Sequence, residues 1–224
     1  PLLVAISSAN GKGRHPLLSG TNISSQHVSA LPDGAVTENL SPDLQGRVED
    51  HWVQTQLPGV TILDTEPWRG EPLLNFLRKM VFWADVVVEP TELAVLSLLG
   101  PAVSAAATLE ALGVPALPVP GTAVALPDGG FLRSLPGVAD EVDLVVPRDQ
   151  APSYLQRLEA AGVRRAGVWA YEAHRVAARR PRLGVDTDEK TIPHEIPTWI
   201  GGVAERGAVH LDKGCYRGQE TVSR

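Results

Sequence analysis

The spacing of apolar positions along this chain predicts many short elements rather than a few long ones. Leu2 to Ile6 is a brief apolar run that predicts a strand, and Ser7 to Gly20 mixes Gly, Ser, Asn and Pro as a loop does. Gln26 to Leu31 predicts a short helical turn, stopped at Pro32-Asp33-Gly34, where Pro presets φ and Gly accepts a positive one. Ala35–Leu40 and Arg47–Thr55 then read as strands around Ser41-Pro42-Asp43, with a second turn at Pro58-Gly59, so a hairpin or small meander is expected. Glu71 to Phe82 predicts the first helix, because Leu73, Leu74, Leu77 and Val81 fall near one face.

Asp85–Glu89 and Leu93–Leu99 follow as strands, and Ala102–Leu112 as a helix closed by Gly113. This order of helix, strand, strand and helix favours an α+β fold over a doubly wound sheet. Pro115 to Pro120 reads as a connector and Pro127 to Gly130 as a turn; Val142–Val146 reads as a buried strand. Two more helices are expected, Ser153–Ala161 with Ser153 as its cap and Gly162 as its stop, and Val168–Ala178 ended by Pro181. Beyond Pro181 the pattern turns polar and irregular.

Composition narrows the function classes. The hydrophobic fraction of 43% and charged fraction of 21% are those of a globular protein, while 21 Gly and 19 Pro imply many turns. No apolar run reaches the roughly 18 residues of a membrane helix, and Leu2–Ile6 lacks the basic flank of a signal peptide, so a cytoplasmic protein is expected. The single Cys excludes an internal disulfide and any cluster or zinc site of several Cys ligands from this chain alone. A net charge of −6 argues against nucleic-acid binding by the surface as a whole. That charge is uneven: residues 1–163 are acid-rich, whereas residues 164–224 carry the basic excess, suited to an anionic ligand.

Standard motifs are few. Gly11-Lys12-Gly13 is no phosphate loop, His194-Glu195 lacks the second His of a zinc-protease helix, and Asp186-Thr187-Asp188 is a weak cation candidate beside a plain loop reading. The segment His210-Leu211-Asp212-Lys213-Gly214-Cys215-Tyr216-Arg217-Gly218-Gln219-Glu220 is more specific. Its Cys lies between Lys213 and Arg217, cations that favour a thiolate, with two glycines that let the backbone bend. The alternative is a buried, inert Cys, against which the Lys, Gly and Arg flanks speak because they are not core residues.

Lys213, Gly214, Cys215, Tyr216, Gly218, Gln219 and Glu220 match the K-G-C-[FY]-x-G-Q-E signature, and the chain here resembles the YgfZ family of folate-binding proteins. A second stretch, Arg180 to Glu195, is similar to the same family, with weaker likeness at Leu40–Asp50 and Leu77–Val88. The resemblance implies an aminomethyltransferase-like fold, with discontinuous subdomains around a central opening that holds tetrahydrofolate. The approximate subdomains are residues 1–60 with 150–224, and 61–149. Relatives continue into a C-terminal β-barrel, and this chain stops at Arg224. The implied role is support for the assembly or repair of 4Fe-4S enzymes, including tRNA-modifying ones, with those enzymes or assembly factors as transient partners and no resident metal.

A folate site wants a carboxylate for the pterin, cations for the glutamate tail and rings to stack on. Glu195 is the candidate carboxylate, Arg175 and Arg182 the tail cations, and Trp83 and Tyr216 the rings; each has an ordinary reading as surface charge or core aromatic. Cys215 and Lys213 are the candidate reactive pair. Whether the chain is itself a catalyst stays open. Alternatives are a folate-dependent aminomethyl or one-carbon transferase, and a thiol enzyme with Cys215 as nucleophile and His210 or His194 as base.

Overall fold

The computed structural model describes residues 2–8, 17–20, 23–29, 31–82, 84–136, 141–203 and 205–222. They form two compact units: Pro1–Thr91 with Pro181–Arg224, and Glu92–Arg180. Among the described residues the named strands all pair antiparallel, in keeping with an α+β fold.

The first unit begins with β1 (Leu2–Ser8) and a single helical turn, α1 (Leu17–Gly20). The strands β2 (Val36–Pro42), β3 (Val48–Leu57) and β4 (Val60–Thr65) then form the expected meander. The turn before β2 and the β3–β4 turn are where the sequence places them, with Gly34 at φ 83° and Gly59 at φ 74°, left-handed values that cost a residue with a Cβ. The β2–β3 turn instead begins at Asp43, because Ser41 and Pro42 pair with β3. The described residues of 26–31 are irregular rather than a helical turn. Tertiary bonding decides this, because the Gln26 amide donates to the carbonyls of Gly201 and Gly207 at 2.8 Å each.

α2 (Pro67–Lys79) and β5 (Val86–Pro90) complete a sheet of order β2-β3-β4-β1-β5. α2 starts four residues before the expected Glu71. Pro67 at its first turn is preorganised for a helix start, and Pro67, Trp68 and Arg69 carry none of the apolar spacing that reveals the rest. Leu73, Leu74 and Leu77 pack against Val4, Ile6, Trp52, Leu63, Val86 and Val88 in one apolar core. A second core joins Leu40 and Val48 to Leu183, Trp199, Ala208, Val209, Tyr216 and Val222, which draws the C-terminal segment into the unit. That segment contains two single 3-10 turns, Pro193–Glu195 and Pro197–Trp199, and the short α6 (Gln219–Val222).

The second unit holds β6 (Leu93–Leu99), α3 (Ala106–Leu112), β7 (Thr122–Ala125), β8 (Phe131–Ser134), β9 (Glu141–Pro147), α4 (Ala151–Ala160) and α5 (Val168–Ala177). The sheet order is β6-β9-β8-β7. The expected helix over 102–112 is split: Pro101–Ser104 is a 3-10 turn, Ala105 is extended, and α3 ends at Gly113 in the left-handed region. β7 and β8 are unassigned by the sequence pattern because each has only four residues, too few to show alternation. Ser153 is not a cap. α4 begins at Ala151 after Gln150 without a side-chain cap, with Pro152 tolerated in the first turn. Both sheets are open, and no helix among the described residues is long and apolar enough to cross a membrane.

Candidate functional site

The bed of the site is the buried stretch Ser24-Ser25-Gln26. The Ser25 hydroxyl donates to Leu40 O at 2.9 Å or Ala208 O at 2.8 Å, and the N–H of His210 donates to Ser25 O at 3.0 Å. These bonds hold the strand-like approach to Lys213 against the N-terminal loop. Lys213 itself is buried, and its ammonium donates to Ser24 O and lies 5.9 Å from the centre of the Tyr216 ring. Burial pushes its pKa down, and the neighbouring Cys215, as thiolate, opposes that shift.

Cys215 lies outside this bed. It is exposed and has φ 56°, a left-handed conformation uncommon for a residue with a side chain. Tyr216 turns back into the second core and is 4% exposed, and its N–H donates to Gln219 Oε1 at 3.3 Å. The Arg217 guanidinium reaches Pro42 O at 2.5 Å and Glu49 Oε2 at 2.5 Å, and it lies 5.0 Å from the Phe76 ring centre. Gly218 has φ 75°, and a Cβ there would meet Asp43 O at 2.3 Å and Gly46 Cα at 2.8 Å. A Cβ on Gly214 would meet nothing within 4 Å. The signature is thus a clamp in which Lys213, Tyr216, Arg217 and Gly218 fix the backbone, while Gly214, Cys215 and Glu220 are exposed. The expectation that Lys213 is a surface residue is corrected, since its charged end exchanges water for a main-chain carbonyl.

Two imidazoles flank the clamp. His27 and His210 meet edge to face with ring centres 4.6 Å apart, and Asp212 N–H donates to His210 Nδ1 at 3.2 Å. Partial desolvation and the charges of His210 and Lys213 lower the pKa of His27. Sequence reading missed His27, because nothing in its own neighbourhood marks it; only the fold brings it to His210.

The remaining candidates are scattered. Glu195 is exposed, and its Oε1 accepts the Ile192 N–H at 2.9 Å, closing its own 3-10 turn. Arg182, in the first unit, donates from Nε and Nη2 to Glu66 at 2.8 and 2.7 Å. Arg175, in the second unit, is buried and donates to Glu172 Oε2 at 2.7 Å and to Arg180 O at 3.1 Å. His194 is exposed on the Pro193–Glu195 turn. Trp83 and Gly11-Lys12-Gly13 lie outside the described residues. The two aspartates considered for a cation have local roles: Asp186 accepts the Arg182 N–H, and Asp188 accepts from Lys190 N–H and Thr191 Oγ1, bonds that lower its pKa. Among the described residues no group of three His, Cys, Asp or Glu could hold a metal ion.

No family model matches the chain, and no curated protein matches its sequence. Among solved structures, the glycine cleavage system aminomethyltransferase T from Bartonella henselae is similar, with a TM-score of 0.59 at 17% sequence identity. The likeness covers 70% of this chain and 42% of that one, so the chain spans well under half the length of its structural neighbour. Over that 70% of the chain the fold is similar to that of aminomethyltransferase T. At this identity the likeness extends to architecture and not to chemistry.

Proposed function

We propose that the chain is a folate-binding accessory protein that supports the assembly or repair of 4Fe-4S enzymes, tRNA-modifying ones among them, and that Cys215 is its working group. The observation that carries this reading is the placement of Cys215: exposed at φ 56° between the buried Lys213 and the buried Tyr216. A left-handed backbone at a side-chain-bearing residue costs about 1 kcal/mol or more, and such strain gathers where a particular side chain is needed. One thiol cannot hold a cluster, so an outward thiol on a rigid stem suits a ligand shared briefly with iron or sulfur on a client.

Tetrahydrofolate is the ligand that the Lys213–Glu220 signature implies. The described side chains selected for it do not fit it as they stand. Arg182 and Arg175 are held by Glu66 and Glu172, Tyr216 is in the core, and Glu195 closes a turn. The role of Cys215 is derived without them.

The test is complementation. In cells whose own copy is deleted, Cys215→Ser is expected to fold like the parent, as an exposed residue should, yet to fail to restore a cluster-dependent tRNA modification. Full restoration would overturn the role of Cys215, and titration of the purified chain with tetrahydrofolate tests the ligand separately. A second reading, a one-carbon transferase, is favoured by the fold likeness alone. Turnover of a methylamine-type donor with tetrahydrofolate would establish it.

A further inference from the structure

α5 is an amphipathic helix turned inside out. Its buried residue is an arginine, Arg175, and it contributes nothing to the apolar core of its unit. Just beyond the helix, Arg180 Nη1 lies 2.9 Å from Oε1 of the buried Glu141 on β9, and within it His174 Nε2 lies 3.2 Å from Glu141 Oε2. On its outer face Trp169, Ala173 and Val176 follow at i, i+4 and i+7, with Trp169 84% and Val176 59% exposed. Val168 beside them is 64% exposed. Exposed arginines bracket this apolar stripe: Arg164 precedes the helix and Arg179 follows it, whereas the neighbouring Arg165 is paired with Glu159.

We propose that α5 is a docking helix for a partner protein, and that the segment it receives is apolar with acidic flanks. The composition, an exposed Trp among arginines, is that of an interface hot spot. Charge selects the occupant. Of the six arginines in residues 164–182, Arg165, Arg175, Arg180 and Arg182 are paired with Glu159, Glu172, Glu141 and Glu66. Arg164 and Arg179 stand exposed at the two ends of the stripe. Two copies pairing antiparallel through α5 would bring Arg179 of each toward Arg164 of the other, like charges that oppose a homodimer. An anionic membrane or a nucleic acid would meet a chain whose overall charge is −6 and would find a stripe only three turns long. A local acidic segment meets Arg164 and Arg179 at the two ends of the stripe without confronting that charge. This surface is independent of Cys215 and of the folate reading.

The full chain is titrated with a synthetic helical peptide of Leu and Glu, a matched peptide of Leu and Lys, phosphatidylglycerol vesicles and single-stranded RNA, with Trp169→Phe isolating the Trp169 fluorescence. The Leu/Glu peptide is expected to bind and to shift Trp169 emission to the blue. Trp169→Ala should weaken binding about thirtyfold, and joint Arg164→Glu and Arg179→Glu about tenfold. Because these residues are exposed, the variants should melt like the parent. The proposal is overturned if the Leu/Glu peptide does not bind, if the Leu/Lys peptide binds as well, if vesicles or RNA bind in preference, or if sedimentation shows a dimer that Trp169→Ala dissociates.

Discussion

Gly214 and Gly218 stand in one loop under opposite constraints. Gly218 has φ 75° and is pressed against Asp43 O and Gly46, whereas Gly214 faces open space. Gly218→Ala is therefore expected to destabilise the first unit by about 2 kcal/mol or more, seen as a lower denaturation midpoint, and Gly214→Ala to leave it nearly unchanged. At the same scale, His27 gives the site a pH dependence. Its folded pKa is lowered below the ordinary 6.5, chiefly by desolvation and then by His210 and Lys213. Below 6.5 the unfolded chain takes up the proton first, so stability falls as pH drops through that window and levels off below the folded pKa. Melting measured between about pH 5 and 8 should show this slope, and His27→Gln should flatten it.

The elements differ in what fixes them. α2 is held by Leu73, Leu74 and Leu77, and those positions are plain in the sequence. One face of the second sheet is instead fixed by ions: Arg133 donates to Asp143 Oδ2 from Nε at 3.0 Å and Nη2 at 2.9 Å, and Ser97 donates to Oδ1 at 2.6 Å. Asp143 faces Ser97 on β6 and Arg133 on β8 in register, so strand pairing brings the three together. Asp143→Ala leaves the Arg133 charge buried and is expected to cost about 3–5 kcal/mol. Asp128→Ala, which removes the exposed pair with Arg157, should cost less than about 1 kcal/mol. Comparable losses for the two would show that the buried pair does not hold the sheet. Neither Arg133 nor Asp143 is legible as a core position, because a charged residue reads as surface until its partner is known.

For the whole molecule, the two units differ in how the chain builds them. The second is contiguous, and its core of Leu98, Leu112, Leu132, Leu144, Val146, Tyr154 and Leu158 lies wholly within it. A fragment of residues 92–180 is expected to fold alone with one cooperative denaturation transition. Residues 1–91 alone should not, since Leu40 and Val48 depend on Leu183, Trp199, Tyr216 and Val222. Circular dichroism of the two fragments checks both outcomes.

Sequence alone determined what is local. The turns at Gly34, Gly59, Gly113 and Gly162 adopt positive φ where a glycine ends an apolar run, and the buried face of α2 follows its own spacing. The Lys213–Glu220 segment, with its one Cys, was also legible, because its density of Gly and charge is a property of neighbours. Tertiary structure decided what depends on residues far apart in the chain. Lys213 is buried because Ser24 O receives it, His27 belongs to the site because His210 arrives beside it, and Arg175 and Arg182 serve as ion-pair anchors. Periodicity encodes which face of an element is apolar; it carries no record of which distant partner neutralises a charge, and in this chain that pairing separates the residues of the framework from the exposed Cys215.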